Sequence, residues 1–377
     1  MEYLGENIKK LGFGFMRLPM LGDNTIDIEQ TKDMVDLFMS RGFSYFDSSW
    51  GYMGGKSEEA MKTAIVDRYP RGSFQIATKA PAFAVGTAEE AKAMVWTSLK
   101  RLGVEYIDYY LLHNLGGTRT KKFDDFAMWD YLAELKEKGV VRHIGFSIHD
   151  NARALDKILT DHPEVEFIQF QLNYDDWESP SIQARQCHEV AMKHNKPIVV
   201  MEPLKGGLLT NPPESVKKVF TDADPDVSLA SWGIRYAASQ KNIITVLSGM
   251  STMEQMRDNV SFMTDFRPLS AEEQAVIETA REAIGKIHSI PCTGCQYCVE
   301  GCPQGIPIPK VFGAYNRKLV YNDMAAAKGQ YAIEVITGGR ASDCIACGNC
   351  ERVCPQHIAI VDNLEQIGRE LDAAPFF

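Results

Sequence analysis

Eight short β-rich runs alternate with longer amphipathic stretches between residues 11 and 262, no dinucleotide-type glycine fingerprint follows the first run, and eight of the nine cysteines fall near the end in two copies of one spacing. Together these predict an α/β chain: a parallel (β/α)8 barrel of the TIM type, followed by a smaller and mainly α-helical module built around the cysteines. The expected boundaries are 1–268 for the barrel, 269–286 for a helical linker and 287–377 for the module.

The β runs lie at 12–17, 43–48, 74–79, 107–113, 143–148, 167–173, 198–203 and 243–249. They are rich in aromatic and β-branched residues, the types that favour strands. Helical patterns fill the gaps, at 57–67, 88–102, 126–138, 152–159, 181–194 and 228–238. Ser57 before Glu58 and Glu59, and Thr87 before Glu89 and Glu90, read as helix caps with acid in the first turn. Eight strand–helix pairs fit the about 250 residues of a closed barrel. An open doubly wound sheet would need a third glycine after Gly12-Phe13-Gly14, where Met16 and Arg17 stand instead. Gly54-Gly55-Lys56-Ser57 ends like a phosphate loop, but Trp50 occupies the position of its first glycine, so no nucleoside-triphosphate site is expected. After the linker, helical patterns at 309–319 and 324–335 separate the cysteine runs.

Cys292, Cys295, Cys298 and Cys302 read C-x2-C-x2-C-x3-C before Pro303, and Cys344, Cys347, Cys350 and Cys354 repeat the spacing before Pro355. Thiolates so arranged wrap a cuboidal iron–sulfur cluster. Zinc sites instead pair two short C-x2-C knuckles. Disulfides are not expected in a chain that opens on charged MEYLGENIKK without a secretion-type apolar run. The runs resemble those of two-cluster ferredoxins, in which the fourth cysteine of each run ligates the other cluster. That resemblance implies two 4Fe–4S clusters, one on Cys292, Cys295, Cys298 and Cys354, the other on Cys344, Cys347, Cys350 and Cys302. The 41 residues between the runs (303–343) exceed a minimal ferredoxin, so a helical ferredoxin-like domain is expected. Cys187, alone in a helical stretch, reads as packing.

A net charge of −10 argues against nucleic acid as a partner. No apolar run reaches the roughly 20 residues that cross a bilayer, so no membrane partner is expected. A cytoplasmic protein is the expectation, since thiols loaded with iron and sulfide suit a reducing compartment.

Catalytic groups of such a barrel sit at the C-terminal ends of its strands. Those ends carry Asp47 after the second run, Lys79 after the third and His113 after the fourth, with Tyr52 in the loop beyond Asp47. A carboxylate, an ammonium, a phenol and an imidazole converge on one rim. Phenols ordinarily titrate near ~10. Lys79 beside Tyr52 would stabilise phenolate and lower that pKa, and Asp47 would hold Lys79 charged and oriented. Tyr52 is then the proton donor to a developing alkoxide, and His113 sets the angle of the substrate oxygen.

Asp47-x4-Tyr52, Ile76-Ala77-Thr78-Lys79 and Asp108-Tyr109-Tyr110-Leu111-Leu112-His113 resemble the aldo-keto reductase superfamily over residues 8–262. The resemblance implies a nicotinamide dinucleotide, NADPH or NADH, across the barrel mouth. Ser147 matches its carboxamide-binding serine, and Gln169 and Asn173 match its Q-x3-N strand, in which the glutamine holds the carboxamide. Gly206 and Gly207, in Pro203-Leu204-Lys205-Gly206-Gly207, match its pyrophosphate loop, and Ser248, Gly249, Gln255 and Asn259 its adenosine segment. Ile148, Met201 and Ser251 depart from the pattern, replacing an asparagine, a stacking aromatic and a cation for the 2′-phosphate. The choice between the two dinucleotides therefore stays open. Trp96, Trp129 and Trp232 read as packing, Trp50 as a wall of the substrate site, and Glu58–Glu59 as a solvated helix start.

A hydride carries two electrons and each cluster one, so a flavin normally mediates between them; no flavin motif is evident, although barrels hold FMN with weak sequence traces. Barrel and tail together resemble an iron–sulfur subgroup of the superfamily. The expected activity is reversible carbonyl reduction or alcohol oxidation on a small molecule, coupled to the clusters and to a redox-partner protein. Two alternatives remain: a conventional reductase with structural clusters, and an electron-delivery or redox-sensing subunit with little turnover.

Overall fold

The computed structural model describes residues 4, 8–22, 25–180, 182–336 and 338–372. Among them eight parallel strands close into a barrel in sequence order. They are β1 (Leu11–Gly14), β2 (Tyr45–Asp47), β3 (Gln75–Ala80), β4 (Ile107–Leu115), β5 (Val141–Ile148), β6 (Phe167–Gln171), β7 (Ile198–Met201) and β8 (Ile243–Ser248). β8 returns to β1, with Leu11 beside Val246. β1, β2, β6, β7 and β8 are shorter than the runs read from the sequence, whereas β4 and β5 are longer.

The barrel interior is filled by side chains. Tyr45, Ala77, Tyr109, Leu111, Phe167, Val199, Ile244 and Leu247 form one buried cluster, as the layered core of such a barrel requires. Gly145 is needed in β5: a Cβ there would stand 2.5 Å from the Phe167 carbonyl oxygen. Helix Ala88–Leu102 forms as expected, with Thr87 and Glu90 closing a capping box and Gly103 ending it in the left-handed region.

Two local expectations fail. Gly55, not Ser57, precedes helix Lys56–Met61. Ser57 lies inside that helix, where its hydroxyl donates to the Phe15 carbonyl and meets the Ser48 hydroxyl at 2.7 Å. Glu58 is fully buried rather than solvated, because Thr78 and Arg101 satisfy its carboxylate. Of the tryptophans, Trp129 and Trp232 are buried, whereas Trp96 is half exposed.

The described chain divides into two compact units. The first holds the barrel as Met1–Tyr174, Ala184–Pro203 and Ala230–Ala271. The second comprises Asp175–Gln183, Leu204–Leu229 and Glu272–Phe377. It is helical, with Ile308–Tyr321 and Met324–Glu334 the longest helices after Ala271–Gly285. Phe312, Tyr315, Tyr331, Leu364 and Ile367 centre its core. The buried Tyr331 hydroxyl accepts from the Ala341 N–H at 2.7 Å and donates to Asp372 at 2.9 Å. Within the same unit Lys205 is ion-paired with Asp175 and Asp176, and the Tyr321 hydroxyl bonds Asp175 at 2.6 Å.

Among the described residues no helix is long and apolar enough to cross a membrane.

Candidate active site and cluster module

Three strands deliver three side chains to the barrel mouth. Asp47 ends β2, Lys79 is the penultimate residue of β3, and His113 lies in β4. The pairing of β4 with β5 slips between Leu112 and Leu115, and Asn114 takes φ +59°. An irregularity of this kind re-aims the side chains it carries, and His113 sits within it. Tyr52 follows β2 in a short helical turn, Tyr52–Gly55, with Met53 and Gly54 at positive φ.

Lys79 and Asp47 form a pair sealed from water, with Nζ 2.5 Å from Oδ1. Lys79 Nζ also donates to the Ser48 carbonyl at 2.7 Å and lies 5.1 Å from the centre of the Tyr52 ring. Burial opposes the Lys79 ammonium, but Asp47 and the Tyr52 hydroxyl outweigh it and its pKa rises. Burial pushes the Asp47 carboxyl upward while Lys79 pulls the other way. Lys79 offsets the upward push on Asp47 only in part, and Asp47 in turn favours the Lys79 ammonium.

Tyr52 differs from expectation. Burial raises its pKa, Asp47 and Glu202 add to that, and Lys79 lowers it without reversing the shift. Desolvating a phenolate costs more here than one ammonium, already shared with Asp47, returns. The phenol is protonated at neutral pH, the state a proton donor needs.

His113 stands edge-on to Tyr52, with ring centres 5.6 Å apart. Burial, then Lys79, His149 and Arg119, lower its pKa well below the ordinary histidine value, so the ring is neutral. Ser49, fully buried, places Oγ 2.9 Å from His113 Nδ1.

The expected carboxamide residues are brought together in β5 and β6, where Ser147 and Gln169 are register partners. Ser147 Oγ accepts from the Asn114 N–H at 2.8 Å and keeps its own hydrogen for another partner. Gln169 Nε2 faces the Met201 sulfur at 3.7 Å, and Gln169 Oε1 is buried without a partner. Orphaned buried acceptors are rare and mark a missing ligand or water; a carboxamide NH2 suits this one. Asn173 Nδ2 donates to the Glu202 carbonyl at 3.0 Å.

The adenosine-segment residues are tied to one another. Asn259 donates to Ser248 Oγ at 2.9 Å. Gln255 Oε1 accepts from the Ser251 N–H at 2.7 Å, and Ser251 Oγ donates to the Arg17 carbonyl at 2.8 Å. Gly206 and Gly207 adopt positive φ, 70° and 103°, in the turn after Lys205.

Sequence reasoning missed Ser49, Glu202 and Arg17. Glu202 Oε2 is buried without a partner, and the Arg17 side chain passes 3.5 Å from where a Cβ would stand on Gly249. Ser49 was readable as the polar neighbour of Asp47, and Arg17 and Glu202 as polar residues at the C-terminal ends of the first and seventh runs.

In the second unit the cysteines ring two hollows. Cys292, Cys295, Cys298 and Cys354 line one, with Ile308 and Phe312. Cys302, Cys344, Cys347 and Cys350 line the other, with Ile306 and Leu364. Each hollow takes three cysteines from one run and the fourth from the other. Among the described residues no three potential ligands are gathered closely enough for a single metal ion. Thiols spread around an apolar-walled hollow fit a cluster, whose corners hold its ligands further apart than one zinc ion does.

The sequence profile of the aldo/keto reductase family matches residues 10–282. The chain belongs to that family. A 4Fe-4S dicluster domain profile matches residues 291–359 of this oxidoreductase. An uncharacterized oxidoreductase of Bacillus subtilis, YqkF, is 27% identical over 315 residues, 75% of this chain and 96% of its own length. L-galactose dehydrogenase of Arabidopsis thaliana is 23% identical over 73% of this chain and 90% of its own. The holo form of aldo-keto reductase AKR11C1 from Bacillus halodurans superposes with TM-score 0.61 at 25% identity, covering 75% of this chain and 96% of that one. An aldo-keto reductase from Klebsiella pneumoniae in complex with NADPH shares the fold at TM-score 0.57 and 19% identity, over 73% and 93% of the two chains.

Proposed function

We propose that this reductase interconverts a small carbonyl compound and its alcohol with NADPH or NADH, and exchanges electrons through two 4Fe–4S clusters. The observation that carries the first half is the buried Lys79–Asp47 pair beneath the Tyr52 phenol, with neutral His113 beside it. Ser147 and Gln169 would hold the nicotinamide carboxamide, and the unpaired Gln169 Oε1 supports that fit. Bound there, the nicotinamide supplies hydride to the carbonyl carbon. His113 orients the carbonyl oxygen. Tyr52 gives its proton to that oxygen as negative charge develops, and Lys79 steadies the phenolate left behind. Asp47 keeps Lys79 charged and fixed in direction. Positioned proton transfer of this kind contributes about 10²–10⁴-fold.

Tyr52→Phe is therefore expected to lower kcat by about 10²–10⁴-fold while the dinucleotide Kd stays within a factor of two or so. Wild-type kcat in that variant would sink the mechanism.

The two hollows support crossed ligation, with Cys292, Cys295, Cys298 and Cys354 holding one cluster and Cys344, Cys347, Cys350 and Cys302 the other. Clusters held there supply one-electron chemistry. Such a module suits a reducing compartment, the cytoplasm, and a redox-partner protein as its electron source or sink. The coupling is tested by adding NADPH to anaerobic protein and following cluster absorbance and electron paramagnetic resonance. Clusters that stay oxidised while an aldehyde is reduced would separate the two halves of the proposal.

A further inference from the structure

We propose that Ser49 is a positioning residue for carbonyl reduction: its hydroxyl donates to His113 Nδ1 and so fixes the imidazole as the Nε2–H tautomer. The inference rests on the reading of His113 as the group that orients the carbonyl. A neutral imidazole has one N–H, and which nitrogen carries it is set by the partner of the other. A carbonyl oxygen offers only lone pairs. An imidazole that orients it by hydrogen bonding must therefore present N–H, not a bare nitrogen, to the mouth.

Ser49 decides which it presents. Its Oγ has two neighbours at bonding distance, His113 Nδ1 at 2.9 Å and the Lys79 carbonyl oxygen at 3.4 Å. The hydroxyl has one hydrogen to give. The Lys79 carbonyl is the more distant and already accepts from the Trp50 N–H at 3.1 Å. Ser49 is fully buried, so water does not compete for its hydrogen. Donation to Nδ1 satisfies the shorter contact and leaves the single imidazole hydrogen on Nε2. The same residue sits two positions after Asp47, so the end of β2 orients Lys79 through the Asp47 carboxylate and the loop that follows orients His113 through the Ser49 hydroxyl.

The test is the tautomer itself, read by two-bond ¹⁵N–¹H correlation on full-length, anaerobically prepared protein labelled in histidine, with His113→Gln to assign the signals. The unmutated protein is expected to show a protonated Nε2 and a bare Nδ1, and this measurement needs no variant. Ser49→Ala should move the His113 signals toward a mixture of tautomers. It should also lower kcat/KM for 4-nitrobenzaldehyde by about 3–10-fold, the effect of one hydrogen bond, with the NADPH Kd unchanged. Ser49→Cys, a near-isostere with a weak donor, should fall between the two. A protonated Nδ1 in the unmutated protein, or unchanged signals in Ser49→Ala, overturns the proposal. If the tautomer shifts as expected while His113→Gln and Tyr52→Phe both keep full turnover, the role of Ser49 stands and the carbonyl-reductase reading fails instead.

Discussion

At the barrel mouth the protein's own groups hold the expected catalytic side chains: Lys79 has Asp47 and the Ser48 carbonyl, and His113 has Ser49. In the cysteine module the thiols stand apart around two hollows. There, burial and neighbouring thiols push Cys298 up to about 12 and raise Cys292 as well. The contrast teaches where each region draws its order from. The mouth is preorganised by the protein's own hydrogen bonds on a rigid barrel. The module's thiols must lose their protons to bind iron, so part of its folding free energy comes with the clusters.

The sharpest way to break that comparison is to take the clusters away. Stripping iron with a chelator under reducing conditions is expected to remove amide protection across Ile308–Tyr321 and Met324–Glu334. Strands β3 to β5 should keep theirs. Hydrogen exchange read by mass spectrometry separates the two, and equal loss of protection in both regions would show that the barrel too depends on iron. Cys302→Ala sharpens the point at residue level. Crossed ligation expects it to damage the cluster on Cys344, Cys347 and Cys350 and to spare the one on Cys292, Cys295 and Cys298.

A smaller effect is expected from Lys79→Met. It leaves Asp47, 3% exposed, as an uncompensated buried charge, a loss of about 3–5 kcal/mol. The opening free energy of β3 and β4 amides should fall by that amount. Adding Asp47→Asn should restore much of it, because the penalty lies in the stranded charge rather than in the lost pair. An unchanged opening free energy in Lys79→Met would mean that water reaches the pair.

The two regions also differ in how much of them was legible in the sequence. Metal-ligand spacing is local, so both cysteine runs could be read within eleven residues each, and the expected exchange of fourth ligands followed from their resemblance to two-cluster ferredoxins. Asp47, Lys79 and His113 are scattered over 67 positions (47–113), yet each closes an apolar run, and strand ends of a barrel converge. What could not be read is anything set by depth. Glu58 looks like a solvated helix start in sequence, but Arg101, 43 residues on, reaches back to it. The Tyr52 pKa was misjudged for the same reason: the neighbouring ammonium was visible in the pattern, and the extent of desolvation was not.

The smallest effect tests whether the N-terminal ends of the strands behave as pure scaffold. Glu166, just before β6, accepts from the Ile144 N–H at 3.0 Å, pairs with Lys136 at 2.7 Å and meets His143 Nδ1 at 3.3 Å. Burial alone would raise its pKa, but these partners hold it at about 2. A carboxylate depressed in the folded state contributes stability that is fully present above its unfolded value near ~4.3 and is lost as pH falls toward about 2. Its side chain is 24% exposed, so solvent screening trims the contribution to about 1–3 kcal/mol. Glu166→Gln should therefore lower the opening free energy of β5 and β6 by that amount at pH 7, and by progressively less at lower pH. Because the group touches neither the mouth nor the cysteines, kcat and iron content should both stay at the unmutated level. A fall in either would show that strain at the strands' N-terminal ends reaches the site, and that scaffold and chemistry are less separate than the strand geometry implies.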